Sequence, residues 1–302
     1  MAGSEPFFGV PGFQVGRSLR FNDDDTSRLS RTFTTAGNTK KWTFSCWYKR
    51  GHLDGQSHTL FATDRSGTND FDYIRIQTDD SVYAAVRDDS SNYHFRIITN
   101  RKLRDLNTWY HIVVRYDSTA GTPASPENAL YINGELQDNL AAGVTPAQDD
   151  VTNFNNAVVH HIGNWNADSS YYLDGYLAEV NFVDGYSLPA SYFGTTDPAA
   201  GNGQWVPTKY SGAYGNNGFY LPFKGYGIAT ATGGTITTDG DYKVHSFTSN
   251  GTFEVTSITN TDPSLTGAAT AEIEYLIIAG GGAGAADGST TNGNGGGGAG
   301  GY

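Results

Sequence analysis

The chain has 302 residues, a formal net charge of −12, and 39 Gly, 19 Tyr and 16 Phe beside a single Met and a single Cys. An acidic chain without clustered Lys and Arg excludes a polyanion such as nucleic acid as partner, because phosphate backbones are held by clustered cations. No apolar run of about 18 residues is present, residues 1–14 lack the charged head and apolar stretch of a signal peptide, and one cysteine closes no intramolecular disulfide; a soluble protein assembled in reducing cytoplasm is expected.

Residues 1–16 carry Phe7, Phe8, Pro11 and Phe13 among glycines and read as an extended arm whose aromatics dock onto a neighbour. From Arg17 the chain becomes a succession of strand signals. Leu19 and Phe21 alternate with basic residues, as do Ile74 and Ile76. In residues 42–48, alternation puts Trp42, Phe44, Cys46 and Tyr48 on one face, which makes Cys46 a core thiol. Residues 78–81 are turn chemistry before Val82, Ala84 and Val86, predicting a hairpin over 73–87. A helix-like turn is expected over Arg101 to Leu106, then a strand over 109–116. The strand of residues 129–132 ends in Asn133-Gly134, a pair that tolerates the positive φ angles of a tight hairpin. Strands over 158–163 and 176–182 follow, the latter with Tyr176, Ala178, Val180 and Phe182 on one face. Short strands at this spacing, almost without helices, predict an all-β, two-sheet antiparallel sandwich over residues 17–223.

Residues 18–22, 42–50, 109–114, 130–134 and 174–180 occur in the order found in laminin-G-like, or concanavalin A-like, jelly rolls, and residues 15–223 resemble that family. Residues 17–22, 41–51 and 175–185 are similar to the version in marine bacteriophage structural proteins. The resemblance implies a two-sheet jelly roll on a virion component of the tail-fibre or adhesin type, assembled in host cytoplasm and displayed on the particle or tail. It implies as partners other copies of the chain, with trimers usual in phage fibres, other virion proteins and bacterial surface polysaccharide. A capsid decoration protein with no ligand is the alternative.

Residues 224–302 read as a small β domain with strands over 235–238, 242–247 and 272–278, and with Asn250-Gly251 as a hairpin turn. From Gly280 onward the chain is mostly Gly, Ala, Asn and Ser, resembling the glycine-rich domain near the ends of phage tail fibres. Such a tract buries too little side chain to offset glycine's backbone entropy. Two readings stand: a flexible tail, or backbone packed on backbone in an assembly.

Glycosidases on this scaffold set two carboxylates on one strand face in a Glu-x-Asp-x-x-Glu pattern, which is absent; Asp174 and Glu179 have opposite strand parity, so no enzyme is expected. His160 and His161 are adjacent on a strand and point to opposite faces, one into the core and one outward, so they hold no common metal. His111 reads as structural.

Two acidic loops offer the hard oxygen ligands calcium takes, and the resemblance implies such a rim site: Asp149, Asp150 and Asn153 first, Asp23-Asp24-Asp25 second. Both also read as solvated turns. Residues 164–172 place Asn164, Trp165, Asp168, Tyr171 and Tyr172 in one loop, flat rings beside polar groups, as glycan binding needs. Their polar flanks argue against core positions, and a role at a subunit interface or in local packing is the competing reading.

Overall fold

The structure, a computed structural model, describes residues 9–10, 13–64, 71–119, 127–165, 171–197, 203–223, 228–239 and 242–259. It has two compact units, Met1–Lys224 and Gly225–Tyr302. Phe7, Phe8, Pro11, Asp168, the expected strand over 272–278 and the glycine-rich tract lie outside the described residues.

The first unit is the expected all-β sandwich. One sheet has seven strands: β3 (Leu19–Phe21), β5 (Lys41–Arg50), β10 (Tyr110–Asp117), β11 (Ala129–Ile132), β12 (Glu135–Leu136), β15 (Gly175–Asp184) and β18 (Phe219–Leu221). Their order is β12-β11-β10-β5-β15-β18, and β3 shares the far edge of β15 with β18. The second sheet, also seven-stranded, orders β4 (Leu29–Thr32), β6 (His58–Thr63), β7 (Phe71–Ile76), β8 (Ser81–Arg87), β9 (Tyr93–Lys102), β13 (Leu140–Val144) and β14 (Val159–Ile162) as β13-β9-β8-β7-β6-β14-β4. All of these pairs are antiparallel.

Period-two alternation builds the core between the sheets. Trp42, Phe44, Cys46 and Tyr48 from β5 meet Ile74, Ile76, Val82, Ala84 and Val86 from β7 and β8, all buried. Phe44, Phe61 and Phe154 stack with centroids 4.9 Å apart at each step. Burial holds the Cys46 thiol neutral by pushing its pKa far up. The two hairpins form as expected: Asp80 takes φ +70 where Ile76 pairs with Val82, and Asn133 and Gly134 take φ +51 and +80 where Ile132 pairs with Glu135.

Both sheets carry a further layer on their outer faces. Over the first lie β16 (Gly194–Thr196), β17 (Trp205–Pro207) and a 3-10 turn at Ala190–Tyr192, burying Leu188, Phe193 and Tyr210 against Val113 and Val183. The arm adds β1 (Gly9–Val10) and β2 (Phe13–Gln14), and Phe13 and Val15 pack against Trp47 and Ala178 of the same chain.

Four details depart from the sequence expectation. First, no helical turn forms over 101–106, because β9 continues to Lys102 and Leu103 is drawn into the core. Second, β15 is not uniformly alternating: the register with β5 shifts between Ala178 and Asn181, and Glu179 takes φ +49. This bulge sends Leu177, Val180 and Phe182 inward and leaves Ala178 on the outer face and Tyr176 exposed. Third, His160 and His161 are both buried, the outward ring of His161 being covered and bonded to Asp64 at 2.7 Å.

The fourth concerns the second unit. It contains β19 (Ile228–Thr232) paired with β22 (Glu254–Thr259), and β20 (Thr235–Asp239) paired with β21 (Tyr242–Ser246). Asn250-Gly251 therefore joins strands of two different sheets and makes no hairpin. Residues 247–253 between β21 and β22 are too many for a two-residue turn.

Candidate functional site

The outer face of β5 and β10 carries a stack of rings. Trp47 lies over His111 with centroids 4.8 Å apart, and Trp205 from β17 stands at the edge of the imidazole, centroids 6.1 Å apart. Trp205 Nε1 donates to His111 Nδ1 at 2.9 Å, so the imidazole proton sits on Nε2 and points to Ser45 Oγ, also at 2.9 Å. Burial lowers the His111 pKa to about 3, which keeps the ring neutral. Ser45 is thus an acceptor from His111, the reverse of the polarity a nucleophilic serine needs.

Two glycines make room for Trp205. A Cβ at Gly134 or at Gly194 would lie 2.6 Å from its ring. The indole is clamped between two backbones and presents the rest of its edge to a groove of about 400 Å³. Half-buried Trp109 forms a second wall, and Arg101, Asn107, Asn133, Glu135 and Gln204 supply its polar groups. Arg101 and Glu135 face each other at 2.7 Å. The Trp109 indole offers an apolar wall to a saccharide's C–H faces, the Trp205 edge borders it, and amide, carboxylate and guanidinium groups suit the hydroxyls. Sequence reasoning missed this groove. The signal was Trp47, an indole on the outward parity of a strand whose other face already carries the core.

The aromatic loop behaves differently. Trp165 is 7% exposed and packs edge-on against Phe71 and Tyr73 on the outer face of the second sheet, with Tyr171 beside it. Asn164 is fully buried, Tyr171 takes φ +68, and the Tyr172 hydroxyl accepts from Arg28 at 3.3 Å. The expectation that these rings stand clear of a core is corrected: polar neighbours in sequence did not prevent a local apolar cluster, because Phe71, Tyr73, Tyr83 and Ala85 come from other strands. Arg75 lies over the rings of Tyr73, at 4.3 Å from its centroid, and of Tyr171, at 5.1 Å, sealing the cluster with cation–π contacts.

Asp149, Asp150 and Asn153 line one recess of about 270 Å³ with Asp72, Asp88 and His94. The two carboxylates serve different partners. Asp149 pairs with Lys40 at 3.0 Å, while Asp150 Oδ2 accepts the Ala147 N–H at 2.7 Å and faces His94 Nδ1 at 3.1 Å. His94 also reaches Asp88 at 3.1 Å. Burial alone would lower the His94 pKa, but Asp150 and Asp88 outweigh it and raise it, so an imidazolium is favoured between two acids. Calcium takes six to eight oxygens. With nitrogen donors already on Asp150 and a lysine on Asp149, these residues as placed do not fit it.

The remaining acids of the sequence search are also engaged separately. Asp174 pairs with Arg20 at 2.9 Å, and Glu179 on the β15 bulge accepts from the Tyr220 hydroxyl. Burial and that carboxylate together push the Tyr220 pKa far up. His160 is enclosed by Phe33, Phe61 and Phe182 and accepts the Asn155 N–H at 3.0 Å; burial lowers its pKa to about 4.

Two antiparallel sheets closed over one core in a jelly roll define a concanavalin A-like sandwich. Residues 22–190 match the profile described as the concanavalin A-like lectin/glucanases superfamily, and the chain belongs to that superfamily. Among solved structures it is similar to a heptameric SAP-like pentraxin from Limulus polyphemus, at 15% identity over 57% of this chain and 76% of that one, TM-score 0.40. It is also similar to a Bacteroides ovatus protein named for carbohydrate binding, at 14% identity over 74% and 53%, TM-score 0.45. A third is the mouse laminin alpha1 chain, domains LG4-5, at 10% identity over 77% and 51%, TM-score 0.39. The chain spans about half the length of the last two. These likenesses are distant, and nothing about ligand or activity follows from them. No curated protein sequence matches the chain.

Proposed function

We propose that this protein is the carbohydrate-binding component of a bacteriophage particle, a tail-fibre or adhesin-type protein that holds host surface polysaccharide without cleaving it. The observation that carries the binding reading is the groove between Trp109 and Trp205, with Arg101, Asn107, Glu135 and Gln204 at its rim. Trp205 is fixed in place by His111 and two glycines, so little rotamer entropy is lost on contact with a sugar ring. The virion setting is supported by the sequence resemblance of residues 17–22, 41–51 and 175–185 to marine phage structural proteins. Homo-oligomers, other virion proteins and the particle surface as location belong to the same reading.

The test is binding of the purified chain to host cells and to a glycan array, beside Trp109→Ala. Trp109 lines the groove from a half-buried position. Its loss is expected to weaken adhesion at least about ten-fold while leaving the melting temperature within a few degrees. Adhesion that ignores Trp109→Ala removes the groove from the proposal. A wild-type chain that adheres to nothing favours an architectural protein without ligand. Release of oligosaccharide from host capsule would contradict the non-enzymatic reading.

A further inference from the structure

At the rim where β5 ends and β15 begins, the turn after β3 and the loop between β5 and β6 bring three ligand-capable side chains together. Asp23, His52 and Asp54 each offer one atom, and these atoms lie within 4.8 Å of one another, the only such trio of His, Cys, Asp and Glu among the described residues.

Asp54 and His52 are oriented by their neighbours. Asp54 Oδ1 is occupied, accepting the Gln56 N–H at 2.9 Å and a hydrogen bond from His58 Nε2 at 3.0 Å. His58 is held from its other side, its Nδ1 lying 2.9 Å from the Tyr172 carbonyl oxygen and 3.2 Å from the Asp174 backbone nitrogen. Asp54 Oδ2 therefore turns to His52, 3.2 Å from its Nε2. The other nitrogen of His52, Nδ1, faces Asp174 Oδ1 at 3.2 Å.

Asp174 is the unexplained group. Its side chain is 4% exposed, Oδ2 is taken by Arg20 at 2.9 Å, and the buried Oδ1 makes no aligned hydrogen bond and is aimed at His52. Gly51 exists to admit it: a Cβ there would sit 1.4 Å from Asp174 Oδ1. A buried carboxylate behind one imidazole nitrogen, with two further carboxylates before the other, is the outer-shell arrangement that fixes a metal-ligating histidine. The buried Arg50 guanidinium is held by Asp80 at 2.8 Å and stands 3.9 Å from Asp54.

We propose that Asp23, His52 and Asp54 bind one divalent metal ion of the zinc class, with Asp174 as the positioning residue that sets the His52 ring. One imidazole and two carboxylates suit Zn²⁺, Co²⁺ or Mn²⁺, whereas calcium takes oxygens alone. Open positions on the ion would be filled by water, because His52 is 47% exposed. The ion ties the β3–β4 turn to the β5–β6 loop. This site is separate from the tryptophan groove, and either can fail without the other.

The experiment titrates the chelator-stripped full chain with Zn²⁺ by calorimetry and with Co²⁺ by visible absorption. One ion per chain is expected, with a cobalt d–d band and a raised melting temperature. Asp23→Asn and His52→Gln should each weaken binding at least about ten-fold, and Asp23→Asn should leave the melting temperature of the metal-free protein unchanged. Asp174→Asn should weaken it roughly 10–100-fold while keeping the stoichiometry. His94→Gln, at the other acidic recess, should bind as wild type. Absence of Zn²⁺ and Co²⁺ binding overturns the site, as does binding that survives both Asp23→Asn and His52→Gln, or saturation by Ca²⁺ alone.

Discussion

Two glycines and three histidines show how much a single residue decides here. Gly134 and Gly194 each leave 2.6 Å between a would-be Cβ and the Trp205 ring, and Gly134 also holds φ +80. Gly194→Ala is expected to cost about 1–3 kcal/mol by overpacking, and Gly134→Ala more, because backbone strain is added. Chemical denaturation of the two variants checks the order, and a neutral Gly134→Ala would show that the indole is not clamped. His111 and His160 have pKa values lowered to about 3 and about 4 by burial. Unfolded imidazoles take a proton near pH 6.5, so the stability these rings contribute is complete above that pH and is lost as pH falls from 6.5 toward 4. For His160 the loss approaches about 3 kcal/mol. His94 runs the other way: its raised pKa gives stability present below pH 6.5 and lost as pH rises through the folded value. Two buried rings against one half-exposed ring make the net trend acid destabilisation, and urea midpoints at pH 7 and pH 5 that coincide would refute it.

At the scale of the element, alternation made most strands readable. Trp42, Phe44, Cys46 and Tyr48 share one face of β5 as their spacing requires, and Asn133-Gly134 makes its hairpin. The failures have a physical cause in common. The β15 bulge at Glu179, the covered ring of His161 and the burial of Trp165 all depend on residues far away in the chain. Local polarity could not reveal them. Trp165→Ala is accordingly expected to destabilise the fold by about 3–5 kcal/mol, as for a deleted core indole, while adhesion through the tryptophan groove survives. A variant of wild-type stability that has lost adhesion would return the site to the 164–172 loop. The Cys46 thiol makes a complementary probe: buried and neutral, it should resist disulfide reagents until the sandwich unfolds.

For the whole molecule, stability rests on layers beyond the two sheets. The arm buries Val15 fully beside Trp47, and Leu188, Phe193, Tyr210 and Tyr214 cover the outer face of the first sheet. A fragment of residues 17–223 is therefore expected to melt below a fragment of residues 9–224, although both keep the jelly-roll core; equal melting temperatures would mean the arm adds nothing. By itself the sequence determined the all-β class, the antiparallel sandwich and its central core, because alternation, turn chemistry and strand spacing are local properties carried in the order of residues. Only the tertiary structure decided where the chemistry sits. Trp47, Trp109 and Trp205 stand 62 and 96 residues apart in sequence at successive steps, and Asp23 comes from a different turn than His52 and Asp54. Which side chains converge is fixed by strand order and by the layers folded over each outer face, and neither is written in any one stretch of the chain.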